Sequence, residues 1–294
     1  ANMERALRDK KAICFFVVPG LVWFCLIALI PVFQSAYYST LDWDGVTQAT
    51  FLGIDNYVNL FQDELFYQAT LNSLILAAAS VFILLPIFMA LALILANGVK
   101  GENVYRNIFF VPVIISTTVI AHLWMKIYHP NYGLLNMLLG AIGLESWQRQ
   151  WLGDTSTALA ACFVPMVWQY IGYHMLLFYS AAKSISQDIF EAARVDGANK
   201  WQISMRIVIP QIVPMIKACV IFAIIGSLKS FDLIYILTRG GPVHASEVTS
   251  LMMYTKIFTT NEYGYASAIA IFIIVECLVF TLLVQGIFGR IQKE

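Results

Sequence analysis

The chain has 294 residues, 60% of them hydrophobic and 12% charged, with a formal net charge of +0 and a mean hydropathy of +0.73. That is more apolar surface than a soluble core of this size can hide, so a bilayer is the natural solvent. The balanced charge excludes nucleic acid and strongly charged macromolecules as partners. Cys14, Cys25, Cys162, Cys219 and Cys277 all lie in apolar runs without CxxC or Cys/His spacing, so they read as small buried hydrophobes, and no metal site is expected.

Six stretches are long enough to cross a bilayer, which takes about 20 apolar residues as a helix. They lie at about 12–37, 71–96, 107–128, 156–181, 216–237 and 266–288. The fold class expected is all-α, a polytopic membrane protein with six transmembrane helices in one domain over 1–294. The first stretch reads as a retained span, because its apolar run is too long for a signal peptide and no small-x-small site precedes the polar loop. Pro31 is expected to kink or end the first span. Pro86 and Pro112 fall where membrane helices tolerate proline once neighbours satisfy the freed carbonyls.

Between the first two spans, residues 38–70 are acidic and aromatic (Asp42, Trp43, Asp44, Asp55, Asp63, Glu64) with no basic residue. Residues 129–155 carry an Asn131-Tyr132-Gly133 turn signal, and Trp147 and Trp151 suit an interfacial belt more than a ligand contact. In the fourth span Trp168, Gly172 and Met175 share one helical stripe while Tyr170 and His174 share another. Either stripe can line a pathway or serve helix packing. Lys229 and Asp232, around Ser230, stand three apart at the end of the fifth span. On one helix face they can form an ion pair or meet a ligand. Glu276 stands alone in the last span, where packing against a polar group is the plainer reading.

Lysine and arginine placement gives an orientation. With the N-terminus inside, cytoplasmic segments hold Arg5, Arg8, Lys10, Lys11, Lys100, Arg106, Lys183, Arg194, Lys200, Arg206, Lys217, Arg290 and Lys293. The opposite side holds Arg149, Arg239 and Lys256. This bias puts both termini, and the loop 182–214, in the cytoplasm.

That loop holds EAARVDGANKWQISMRIVIPQIVP at 191–214. Ser186 or Asp188 can cap a helix whose first turn includes Glu191. Ala192, Ala193 and Ala198 keep one face small, Gly197 allows a sharp bend between two short helices, and Pro210 and Pro214 approach the next span. Generic amphipathicity explains Arg194, Lys200, Trp201 and Arg206, but not Glu-Ala-Ala, Gly and Pro at these intervals. The order EAA, three residues, Gly, nine residues, I-x-L-P, with Ile209 where Leu is preferred, resembles the coupling loop of ATP-binding-cassette importer permeases. Asp196-Gly197-Ala198 and FDLIYILTRGGP at 231–242 narrow the resemblance to the carbohydrate-uptake branch. There it is nearest the first permease of maltose, multi-sugar, raffinose or glycerol-3-phosphate importers, in a compact six-span form.

The resemblance implies a type I importer permease fold. It implies a second homologous permease, two cytoplasmic ATPases that hold ATP and Mg, an extracytoplasmic solute-binding protein, membrane lipid around the spans and a sugar as cargo. It assigns ATPase coupling to Glu191, Ala192, Ala193, Asp196, Gly197, Ala198, Ile207 and Pro210. It places the pathway near Trp168, Tyr170, Gly172, His174, Met175, Lys229, Ser230 and Asp232. No G-x-x-x-x-G-K-[ST] phosphate loop occurs, so no cofactor is expected on this chain and ATP hydrolysis is left to the partners. His122, His129, His174 and His244 are scattered, with no nucleophile–base arrangement, so the chain is not expected to be an enzyme. A glycerol-3-phosphate or polyol permease is the alternative. A secondary transporter or channel is a more distant one, which would need no such loop and would usually show inverted repeats.

Overall fold

The computed structural model describes residues 10–291; Arg5, Arg8 and Lys293 of the charge count lie outside them. Among the described residues the regular structure is helical but for one short antiparallel ribbon, Leu41–Asp42 against Thr50–Phe51. Five helices among them are long and apolar enough to cross a membrane: Cys14–Tyr38, Glu64–Ala96, Ala158–Lys183, Val213–Leu237 and Tyr263–Arg290. A bent pair, Glu102–Ile114 and Thr117–Ile127, makes up to six. Each of the six predicted apolar stretches therefore has a counterpart, although the second helix begins seven residues before the predicted 71.

The third stretch is not the single helix predicted over 107–128. Its two halves meet at 97°. Ile115 (φ −76, ψ 137) and Ser116 (φ −57, ψ 136) are extended, so the hydrogen-bond ladder stops there. Thr117 follows Ser116 as the first residue of the second half.

Proline shapes three of these helices in the same way, through the carbonyl that its missing N–H leaves free. Pro31, Pro86 and Pro210 each follow a π-helical turn, at Cys25–Leu29, Ser80–Leu84 and Ser204–Val208. After each turn the residue before proline bonds five back, as Leu85 N does to the Ser80 carbonyl. Widening the helix by one residue absorbs the proline without ending the helix. Pro31 thus does not end the first span, which runs on to Tyr38.

The chain divides into two compact units, residues up to Asp63 with Met253–Phe272, and Glu64–Met252 with the chain from Ile273 onward. In the first unit no residue of Cys14–Tyr38 is buried. The acidic loop turns on itself: Asp44 Oδ1 accepts from Val46 N, Thr47 N and Thr47 Oγ1 at 2.9, 2.7 and 2.9 Å, which holds its carboxyl below the usual range. Buried Asn56 donates to the carbonyls of Ser39 and Leu41 at 2.9 and 2.8 Å. Tyr265 donates to Asp63 at 2.8 Å, and Lys256 pairs with Glu262 at 2.9 Å. These acids are occupied in holding the unit together.

The second unit holds the largest core. Leu84, Leu85, Phe88 and Leu95 of the second span pack with Met175, Phe178 and Ala182 of the fourth and with Ala193, Ile203, Val208 and Ile212 between spans. Gly172 is where the fourth span meets the bent pair: a Cβ there would lie 2.3 Å from the Phe109 carbonyl oxygen. Only glycine permits that approach. At the far end of the same contact Tyr179 donates to Glu102, Lys183 lies 3.4 Å from the Glu102 carboxylate, and the Arg106 guanidinium sits 5.7 Å from the Tyr179 ring.

Candidate functional site

Two places collect the predicted residues. The first is the segment before the fifth span. Helix Gln187–Val195 starts at Ser186, whose hydroxyl accepts from Asp188 N, so of the two predicted caps the structure uses Ser186. It ends in a Schellman motif: Ala198 N reaches the Ala193 carbonyl at 2.9 Å and Gly197 N the Arg194 carbonyl at 3.1 Å. Gly197 supplies the left-handed residue that this closure needs, at φ +80. A second helix, Lys200–Ile203, opens with a capping box in which Asn199 Oδ1 accepts from Gln202 N at 2.9 Å and Asn199 N donates to Gln202 Oε1 at 2.8 Å. The bend that the sequence assigned to Gly197 is present.

Burial then sorts the coupling residues. Ala193 turns inward with Phe190 onto the core of the second and fourth spans, and Ile207 and Ala198 pack beside it. Three residues from Phe190, Ala193 shares the inner face of a two-turn helix. Glu191, Ala192, Asp196 and Gly197 are exposed. Val195 and Trp201, which the motif does not include, are 87% and 69% exposed. Pro210 lies in the first turn of Ile209–Gln211, after its π turn. Asn97 Nδ2 donates to Ser204 Oγ at 3.2 Å, tying the segment to the end of the second span.

The second place is a cavity of about 300 Å3 between the second, fourth and fifth spans, lined among others by Ser80, Met166, Tyr170, Tyr173, His174 and Ser227. Ser80 and Ser227 share a hydrogen bond of 2.8 Å on its wall. The His174 ring stacks on Phe88 at 6.1 Å, and its Nδ1 is buried without a hydrogen-bond partner among the described residues. A smaller cavity of about 110 Å3 adjoins it through Met166, Tyr170 and Gly226. Its polar wall is Thr117, Gln169, Lys229, Ser230 and Asp232, with Gln169 Nε2 donating to Thr117 Oγ1 at 3.1 Å.

Of the two stripes in the fourth span, Tyr170 and His174 face these cavities. Trp168, Gly172 and Met175 do not. Trp168 meets Trp124 edge-on at 6.2 Å, Gly172 packs on the Phe109 backbone, and Met175 is wholly buried. Lys229 and Asp232 do not share a helix face, because Val213–Leu228 ends at Lys229 and a new helix starts at Asp232. They form no ion pair among the described residues, yet both line the smaller cavity. Glu276 is buried, and its Oε2 finds no partner among the described residues, so the expected polar neighbour is not there. Thr117, Gln169, Ser80, Ser227 and Tyr173 were not singled out from sequence. A glutamine and serines inside apolar spans are the signal that was available.

Apolar spans around a cavity lined by aromatic rings, hydroxyls and amides, with a capped helical hairpin between two spans, define a membrane transport subunit. The chain belongs to the binding-protein-dependent transport system inner membrane component family, whose profile matches residues 83–293. It is 41% identical over 282 residues to a probable ABC transporter permease of Bacillus subtilis, covering 95% of this chain and 96% of that protein. It is 30% identical over 284 residues to the diacetylchitobiose uptake system permease of Streptomyces coelicolor, covering 92% and 80%. Among solved structures it is similar to the bacterial alginate ABC transporter crystallised with an alginate pentasaccharide-bound periplasmic protein. There the TM-score is 0.85 at 26% identity, over 99% of this chain and 98% of that one. The chain is thus an inner-membrane permease subunit, and the hydrolysis of ATP belongs to separate subunits.

Proposed function

We propose that the chain, as one permease domain over 1–294, forms half of the pathway of an ATP-driven importer for a neutral sugar or oligosaccharide. The observation that carries the substrate class is the paired cavity. Tyr170 and Tyr173 offer aromatic faces, while Ser80, Ser227, Gln169, Thr117 and His174 offer hydrogen-bonding groups, and Lys229 and Asp232 offer opposite charges. Sugars present apolar C–H faces and a rim of hydroxyls, so such a wall suits them. No arginine lines either cavity, which disfavours glycerol-3-phosphate or another phosphate ester as cargo.

A second homologous permease closes the other half of the pathway, and an extracytoplasmic binding protein delivers the sugar. Both termini and 182–214 face the cytoplasm, in keeping with the charge bias. Two ATPases that carry ATP and Mg receive the exposed side of the segment: Glu191, Ala192, Val195, Asp196 and Trp201. Closure of the ATPase pair favours the outward-open state and hydrolysis lets it relax inward, by differential affinity for two states. The inward side, Ala193, Ala198, Ile207 and the Pro210 turn, carries that displacement into the core.

The test is reconstitution of the chain with its partner subunits and binding protein. Sugar-stimulated ATP hydrolysis and sugar uptake are followed in the wild type and in Tyr170→Ala and Gln169→Leu. Uptake should fall at least tenfold in both variants, with the assembly still forming. Unchanged uptake of every sugar that the binding protein accepts would overturn the pathway assignment.

A further inference from the structure

The loop between the bent pair and the fourth span holds a second, unrelated cavity system. An apolar groove of about 590 Å3 is lined by Trp124, Tyr128, Leu134, Leu138, Trp151 and Val164, with Ser156 and Thr157 at one end. That volume lies within the about 300–1,000 Å3 of small-ligand sites. Trp151 also borders a cavity of about 270 Å3, whose other walls are Ser146, Trp147 and Arg149. An aromatic residue therefore divides an apolar trough from a mouth that carries one cation.

The mouth is a built feature. Asn136, buried in helix Leu134–Ala141, donates through Nδ2 to the carbonyls of Pro130 and Arg149, both at 3.0 Å, and accepts from Trp151 Nε1 at 2.8 Å. Gln148 Nε2 returns a bond to the Asn136 carbonyl at 2.9 Å. These bonds fix the backbone of Arg149 and the ring of Trp151 together. The Arg149 side chain has no ion pair among the described residues. Of the two nearby acids, Asp154 accepts from Ser156 N and Oγ at 2.9 and 2.8 Å and is near enough to feel the Arg149 charge without pairing with it, and Glu145 lies in the short helix Glu145–Trp147. Arg149 is also the sole lysine or arginine between Lys126 and Lys183. The groove continues onto an outward apolar face, with Leu134, Met137, Leu138 and Ile142 exposed by 53, 60, 53 and 68%. Such a face with tryptophans at its edge lies at the boundary of hydrocarbon and headgroups.

We infer that this groove and its mouth bind one phospholipid of the surrounding bilayer, an acyl chain along the trough and the headgroup phosphate at Arg149. Ser146 and the rim of Trp147 complete the headgroup end. The lipid would wedge helix Leu134–Ala141 against Thr117–Ile127 and the start of the fourth span. The proposal is independent of the cargo and of the pathway cavity.

The experiment is native mass spectrometry of the importer assembled with its partner subunits, titrated in detergent with phosphatidylglycerol or phosphatidylcholine of equal chain length. Wild type should retain one phosphatidylglycerol in preference to phosphatidylcholine. Arg149→Gln should lower phosphatidylglycerol retention by about fivefold and abolish the preference. Ala160→Trp, which fills the groove from the fourth span, should lower retention of both lipids, and Ala160→Leu repeats the measurement should the larger ring disturb folding. Equal retention in Arg149→Gln and in both Ala160 variants would overturn the site. Displacement of bound lipid by water-soluble glycerophosphoglycerol would overturn it too, leaving only a free phosphate ester site.

Discussion

The polar segments on either side of the fifth span differ in how much of their backbone is held by neighbouring helices. The segment before it, 187–212, is closed by its own backbone: a serine cap, a Schellman motif at Gly197 and a capping box at Asn199. With its local bonds complete it can leave Val195 and Trp201 bare. The loop after it, 238–248, also bonds to itself, with Thr238 Oγ1 and Ser246 Oγ 2.7 Å apart and Ser246 N donating to the Gly240 carbonyl at 3.1 Å, but it is held from outside as well. Gln68 donates to the His244 carbonyl at 3.0 Å, Asn72 to those of Ala245 and Glu247 at 3.1 and 2.8 Å, and Ser73 shares a bond of 3.1 Å with Thr249. Arg239, Gly240, Val243 and His244 all have positive φ, a strained path that the second span holds in place. A self-capped hairpin keeps its shape while its surface is handed to a partner. A loop pinned to a neighbouring span reports that span's position.

The contrast is broken most strongly at Gly197. A Cβ there has open space, so the penalty is purely conformational, about 1–2 kcal/mol for a left-handed residue. Gly197→Val should abolish sugar-stimulated ATP hydrolysis while the protein still inserts and assembles. Gly197→Asn, which tolerates the left-handed region, should keep most of it. Equal coupling in both variants would show that the hairpin's closure does not matter. Next in size, Val195→Asp or Trp201→Ala should weaken ATPase association by about tenfold, as loss of an exposed anchor does. Neither should move the melting temperature of the isolated permease, because neither side chain is buried.

Substitutions that unpin the loop should do the reverse, lowering stability ahead of assembly. Asn72→Ala strands two carbonyls and should cost about 1–3 kcal/mol, read as a lower melting temperature in detergent. The smallest effect is a pH dependence. Burial pushes the Glu247 carboxyl above the usual range, against the opposing effect of the His244 imidazole 3.2 Å away. A folded pKa above the unfolded one stabilises fully below the unfolded value, and that contribution is lost as pH rises through the folded value. Melting should therefore fall slightly as pH climbs above the ordinary carboxylate range, and Glu247→Gln should flatten that slope.

What the sequence revealed follows the same division. Apolar length located the six spans, and the hairpin was legible because its signals are local: Ser186, Gly197 and Pro210 act within a few residues of where they stand. The break at Ile115–Ser116 was not. Pro112 lies three residues before it, but Pro165 sits inside the continuous helix Ala158–Lys183, so proline alone does not distinguish a broken helix from a whole one. The cavity was half legible. Tyr170 and His174 were named on a shared stripe, but the rival stripe of Trp168, Gly172 and Met175 looked equivalent until its neighbours were known. Gln169 meets Thr117 across 52 residues of chain, a pairing that no local pattern encodes. The inward turn of Ala193 was not legible, because motif membership does not say which face of a short helix is inward.

Gly172 marks a junction in this half of the molecule. With the Phe109 carbonyl where a side chain would otherwise stand, and Tyr179 and Lys183 meeting Glu102 further along, Glu102–Ile114 is joined to the fourth span at two places. The extended residues 115 and 116 separate that pair from Thr117–Ile127. Thr117, the first residue beyond the break, accepts from Gln169 of the fourth span, so the wall of the smaller cavity is shared across the break.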